Sequence, residues 1–246
     1  MANINVRIAA LAPPEELDIP RLVQRLNKLQ DYYHFHYGGS SQTIGHADLP
    51  RRHHSIKKLQ ETFRTLYPLT PEFRFDIILT GEKVEEGYFT VATDHLGIVS
   101  SADTELIRGE SGKSPEKFFL YNIIEMLFWL QYGHEHDREE DDIGCLFDSC
   151  YYKRSNHVIG LKACVLCENC RRVLIEEGHA PQEQLQAVSS VLKWVKRPPP
   201  QVSVKWVVSF LTLIAGAALL FLPETVNVAW ISLTVSGWIA ALPLGP

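Results

Sequence analysis

The sequence predicts an α/β domain with a mixed sheet, followed by an all-α hairpin. Strand and helix signals alternate through the first part of the 246-residue chain, the pattern of packed sheet and helix layers. The last 41 residues, 206–246, then hold a single charged side chain, Glu224. Between the two, all five cysteines fall within residues 145–170.

Residues 4–11 (INVRIAAL) are apolar and β-branched, a first strand. Residues 15–29 place Ile19, Leu22, Val23, Leu26 and Leu29 at helical spacing. Residues 31–37 (DYYHFHY) read as a second strand that ends at Gly38-Gly39. Residues 55–66 are helical again and closed by Pro68, and residues 73–80 (FRFDIILT) form the clearest strand in the chain. Further short strands are expected over 87–92 and 96–101. Ser114-Pro115-Glu116 opens a long apolar helix over 114–133, with proline at the first helical position, where its N–H would lack a partner anyway.

Pro198-Pro199-Pro200 forms a stiff spacer ahead of the tail. Residues 206–222 (WVVSFLTLIAGAALLFL) and 226–244 (VNVAWISLTVSGWIAALPL) are uncharged runs of 17 and 19 residues, joined by Pro223-Glu224-Thr225. A helix that crosses the hydrocarbon core needs about 17 to 25 residues. Neither run offers water a polar face. The reading is a transmembrane hairpin with both ends on one side; buried core helices are the alternative. Lys193, Lys196, Arg197 and Lys205 flank the first span, and loop lysines and arginines favour the cytoplasmic side. The expected map is a soluble domain over 1–192, a basic, proline-rich linker over 193–205 and a two-helix hairpin over 206–246. The N-terminal domain and the C-terminus are both expected in the cytoplasm.

The chain carries 24 Lys and Arg against 29 Asp and Glu, a net charge of −5. An acidic balance without an extended basic face disfavours nucleic acid as a partner. Residues 1–18 do not read as a signal peptide, because Pro13-Pro14 and the acids after them break the apolar run. Neither G-x-S-x-G nor a P-loop occurs; residues 109–113 (GESGK) lack the glycine spacing and preceding strand of a phosphate loop.

Cys145 and Cys150 form C-x4-C, and Cys167 and Cys170 form C-x2-C, with sixteen residues between the pairs. Two cysteine knuckles at this separation suit tetrahedral coordination of a structural zinc by Cys145, Cys150, Cys167 and Cys170. A cytoplasmic setting keeps thiols reduced, which favours metal over disulfide. Cysteines that only pack are the alternative. Cys164 also forms C-x2-C with Cys167; Cys170 is preferred because Cys164 lies in the apolar run 163–166, where a small buried thiol fits. His157 is a further ligand candidate, read as a loop histidine.

C-x4-C followed by C-x2-C, behind an α/β half that ends in a long helix, resembles the archaemetzincins, a branch of the metzincin zinc peptidases, over roughly residues 1–175. In that family a helix bearing H-E-x-x-H-x-x-G-x-x-H precedes the cysteines. With Glu125 at the general-base position, the metal-ligand positions fall on Ile124, Phe128 and His134, and the glycine position on Gln131. Ile and Phe offer no ligand atom, whereas a catalytic zinc needs three protein ligands and an open position. An acidic insert, residues 135–144 (EHDREEDDIG), also separates His134 from Cys145. The resemblance implies a metzincin-like scaffold that has kept its structural zinc and lost its catalytic one.

His134, Glu135, His136, Asp137, Asp141 and Asp142 read either as a second metal site or docking loop, or as a solvated acidic loop. His34 and His36 share a strand face, and His53-His54 stand beside Arg51-Arg52; both pairs read as surface residues. The expected function is a membrane-anchored, non-catalytic zinc-binding module that binds or senses a protein or peptide at the cytoplasmic membrane face. The lipid bilayer is its expected partner, together with further copies of the chain through the hairpin, where Ala215, Gly216, Ala217 and Ala218 permit close packing. The alternatives are a membrane-disrupting effector, as in antiphage defence, and an active zinc metallopeptidase with other ligands.

Overall fold

The computed structural model describes residues 4–42, 55–85, 89–133, 143–147 and 153–198. The chain divides between Pro199 and Pro200 into two units. The second unit, with the expected spans 206–222 and 226–244, lies outside the described residues, as do His53-His54, the acidic stretch 134–142 and Cys150. Among the described residues no helix is long and apolar enough to cross a membrane.

Strand β1 (Ile4–Leu11) leads through helix α1 (Ile19–Leu29) to β2 (Tyr33–Ser41), and α2 (Ile56–Leu66) leads to β3 (Phe75–Thr80). The short strands β4 (Thr90–Thr93) and β5 (Leu96–Ser100) complete the sheet. Helices α3 (Glu105–Ser111), α4 (Pro115–Tyr132), α5 (Lys153–Ala163), α6 (Glu168–Glu176) and α7 (Gln182–Lys196) follow. The sheet order is β2-β1-β3-β5-β4, with every pairing parallel except that of β4 with β5. It is the mixed sheet that the sequence predicts.

The chain leaves β1 in one direction to reach β2 and returns past β1 to reach β3. Right-handed crossovers made in opposite directions place their helices on opposite faces of the sheet. Accordingly Val6, Ile8 and Ala10 pack in one core with α1, α4 and α7, and Ala9 and Leu11 pack in the other with Leu59 and Phe63 of α2. Both faces are covered, which is why residues 8–11 form a continuous apolar run.

Helix starts follow the capping residues. Asp18 accepts from the Arg21 N–H, Ser55 from that of Lys58 and Ser114 from that of Lys117. Helix α1 therefore starts at Ile19, later than the expected residue 15. Strand β2 runs on through Gly38-Gly39 to Ser41, because a register shift opposite Ile8 and Ala9 takes up one residue and Gly39 adopts φ 121°. Helix α7 extends through Lys193 and Lys196, residues assigned to the linker, because Val188, Val191, Leu192 and Val195 continue its buried stripe. Helix α4 is buried at every position from Lys117 to Phe128, which makes it the central helix of the domain.

Candidate metal centre

Three of the four expected ligands converge. The Sγ atoms of Cys145, Cys167 and Cys170 all lie within 4.8 Å of one another. Tetrahedral zinc with 2.3 Å Zn–S bonds spaces its sulfurs about 3.8 Å apart, so the cluster needs only small adjustment to hold the ion. Cys150 lies outside the described residues. Among those described, these three are the group of His, Cys, Asp and Glu side chains able to share a metal.

Each thiol is placed by local backbone. Cys145 forms an isolated parallel bridge with Val165, and the Leu146 N–H donates to the Val165 carbonyl at 2.8 Å. Cys167 is the N-cap of α6, in extended backbone, and its Sγ accepts from the Cys170 N–H at 3.3 Å. The Cys167 N–H in turn donates to Sγ of Cys145 at 3.3 Å. Cys170 lies in the first turn of α6, where the helix dipole favours a thiolate.

The protonation pattern suits a metal. The Cys145 thiol is held down to about 7, first by its hydrogen bond with Cys170 and then by backbone donors, against the opposing effect of burial. The Cys170 thiol is pushed up, first by that same bond and then by burial. The two thiols interact closely enough to hold one of them down, and a divalent cation among the three sulfurs would neutralise the thiolates. The residues fit zinc: soft sulfur donors, short separations and N–H groups that support negative charge.

Cys164 stands apart from this cluster. It ends α5 with φ 45°, and its thiol donates to the Leu161 carbonyl at 2.8 Å. Burial pushes that thiol up to about 11, the behaviour of a packed cysteine. His157 corrects the sequence reading: it belongs to α5 and is buried, not looped. The rings of Phe89, Phe118 and Tyr121 surround it at 5.6 to 5.9 Å, its Nε2 has no partner among the described residues, and burial lowers its pKa to about 4. His34 and His36 share a face of the edge strand β2, with ring centroids 4.5 Å apart.

Of the positions that the family resemblance assigns to a second, catalytic metal, Ile124 and Phe128 fall in the core, and His134 lies outside the described residues. Ile124 and Phe128 have no solvent exposure, and Glu125 is 3% exposed. Gln131, at the glycine position, accepts from Tyr33 Oη and from Gln184 Nε2, both at 2.7 Å. Tyr132 Oη donates to Gln184 Oε1 at 2.6 Å. Sequence reasoning missed this network; a run of Gln-Tyr at the end of an apolar helix was its one local trace.

No protein-family model and no curated protein matches the chain. Two solved structures do. One is an archaemetzincin from Methanopyrus kandleri, 16% identical, with a TM-score of 0.46, covering 72% of this chain and 97% of that one. The other is an archaemetzincin from Archaeoglobus fulgidus in complex with malonate, 13% identical, with a TM-score of 0.43, covering 69% and 99%. In fold the chain is similar, distantly, to archaemetzincins.

Proposed function

We propose that the chain is a membrane-anchored, non-catalytic domain of metzincin-like descent, stabilised by zinc, that binds an extended protein segment at the cytoplasmic membrane face. The observation that carries the non-catalytic reading is the complete burial of Ile124 and Phe128 on α4. Two apolar side chains occupy the positions where a hydrolytic zinc would need imidazoles, and neither can hold or activate water. The cysteine cluster, built from the loop after α4 and from α6, serves the fold.

The membrane part of the proposal is supported by the sequence of 206–246, with its single charge at Glu224. A peptide partner is supported by the sheet, whose edge strands β2 and β4 offer backbone groups for strand addition. The test uses the full chain and its Glu125→Ala variant, each incubated with an unstructured protein such as casein. Equal, background-level cleavage by both is expected. Cleavage by the parent that is lost in Glu125→Ala overturns the non-catalytic reading. Separately, the chain is expected to stay with the membrane fraction through alkaline extraction; release into the supernatant overturns the anchor. A membrane-disrupting effector is the second reading, favoured by the small-residue stretch 215–218, and dye entry into expressing cells would select it.

A further inference from the structure

A cavity of about 530 Å³ opens beside α6 and α7, and Cys164, Leu166, Arg171, Ser189, Lys193 and Lys196 line it. Its charged lining has one sign: among the described residues no Asp or Glu contributes to it. Arg171 approaches Glu168 only to 4.0 Å, and that carboxylate is almost fully exposed. That exposed carboxylate neutralises Arg171 only weakly.

The usual role of lysines in a last helical turn is to complement the dipole and satisfy terminal carbonyls. In α7 other residues already do this. Lys113 Nζ donates to the carbonyls of Val195 and Lys196 at 2.9 and 3.4 Å, and Lys117 Nζ donates to that of Arg197. Lys193 and Lys196 are exposed and have no acceptor among the described residues. Arg171 is pre-positioned: its Nη2 donates to Ser189 Oγ at 3.0 Å, and Ser189 Oγ donates to the Leu185 carbonyl at 2.7 Å. The crowding of cations is also felt by their neighbours. Burial raises the Cys164 thiol, and Lys113, Lys196 and Lys117 act against that rise; Lys117 is itself lowered first by burial and then by Lys113.

We infer that this cavity is an anion site for a phosphate group, held by Arg171, Lys193 and Lys196. A guanidinium fixed on one side supplies directional donors, and two ammonium groups supply point charges, the combination that phosphate oxygens match best. Occupation relieves the repulsion among the cations. Two sources present this chemistry: a free phosphate compound, and a phospholipid headgroup, the latter resting on the membrane anchor proposed above.

The test uses the full chain in an uncharged detergent, with inorganic phosphate binding followed by calorimetry. In parallel, the chain is placed in mixed phosphatidylcholine and phosphatidylglycerol nanodiscs, and retained phosphatidylglycerol is measured by native mass spectrometry. Saturable binding in at least one arm is expected. It should weaken about tenfold or more in the Lys193→Gln, Lys196→Gln double variant, the loss of about one charge-assisted contact, and persist in the corresponding double Arg variant. Phosphate binding alone assigns a free phosphate compound; phosphatidylglycerol retention alone assigns the headgroup. No binding in either arm, or equal binding by the double Gln variant at an unchanged melting temperature, overturns the site. A chain that leaves the membrane on alkaline extraction yet binds phosphate would sink the anchor and leave the site standing.

Discussion

The backbone N–H of Cys167 donates to Sγ of Cys145 at 3.3 Å, joining the two knuckles across 22 residues of sequence. Cys145 is set by its bridge to Val165 and Cys167 by its place at the α6 N-terminus, so the fold and the ligand set are one structure. Structural zinc in small sites contributes about 10 kcal/mol or more, comparable with the whole stability of a domain. Cys145→Ser and Cys167→Ser are expected to lower the melting temperature of the full chain sharply or abolish its cooperative transition. Cys164→Ala, whose thiol faces Leu161, is expected to keep the transition. Parent-like melting of both Ser variants would show that the cluster does not hold the fold.

Gly144 positions Cys145. It has φ 84°, and a Cβ there would lie 2.3 Å from that of Ala163 and 3.1 Å from the Ile159 carbonyl oxygen. Gly144→Ala combines a left-handed backbone penalty of about 1–2 kcal/mol with overpacking of about 1–3 kcal/mol. The expected loss in chemical denaturation is about 3 kcal/mol, with weaker zinc retention against a chelator. A variant that retains both properties would mean that Cys145 does not depend on this turn.

His157 gives the domain an acid sensitivity. Burial lowers its pKa to about 4, whereas an unfolded histidine titrates near 6.5. Above pH ~6.5 both states are neutral and nothing is lost. As pH falls from there toward 4, the unfolded chain takes up a proton that the folded chain refuses, so stability declines by up to about 1.4 kcal/mol per unit, about 3 kcal/mol in all. His157→Leu is expected to flatten that part of the stability–pH curve relative to the parent. Curves that stay parallel would place the acid sensitivity elsewhere.

Arg7 and Asp76 form a buried two-pronged pair between β1 and β3, with Nε to Oδ1 at 2.7 Å and Nη2 to Oδ2 at 3.1 Å. Arg7 also lies over the rings of Phe63 and Phe73 and donates to the carbonyls of Pro68 and Tyr67. Asp76→Ala leaves that guanidinium buried without its counter-charge, at a cost of about 3–5 kcal/mol. Replacing both residues with apolar ones of similar size should recover most of the loss. A single-variant loss under about 1 kcal/mol in urea denaturation would contradict the pairing.

These sites differ in how far the sequence reveals them. Strands β1 and β3 are legible because burial on both faces leaves the short apolar runs 8–11 and 77–79, and α2 and α4 because Ser55 and Ser114 announce their starts. The cysteine spacing pointed to the cluster because knuckle geometry is local. Helix α3 was not seen: it buries only Ile107 and Ser111, and Gly109 interrupts its propensity. Helix α5 was hidden by Gly160, which looks like a breaker but is needed for close approach, since a Cβ there would meet Tyr121 Oη at 2.6 Å. With that helix unread, His157 reads as a loop residue. The Arg7–Asp76 pair and the Tyr33–Gln184 contact span 69 and 151 residues, and no local pattern records such partners.

Zinc content of the purified full chain, measured by elemental analysis beside the Cys167→Ser variant, tests the central claim most directly. The account predicts one zinc ion per chain in the parent and none in the variant. A parent without zinc, or a variant that keeps its ion, would contradict the structural centre; two ions in the parent, with one surviving the substitution, would reopen catalysis.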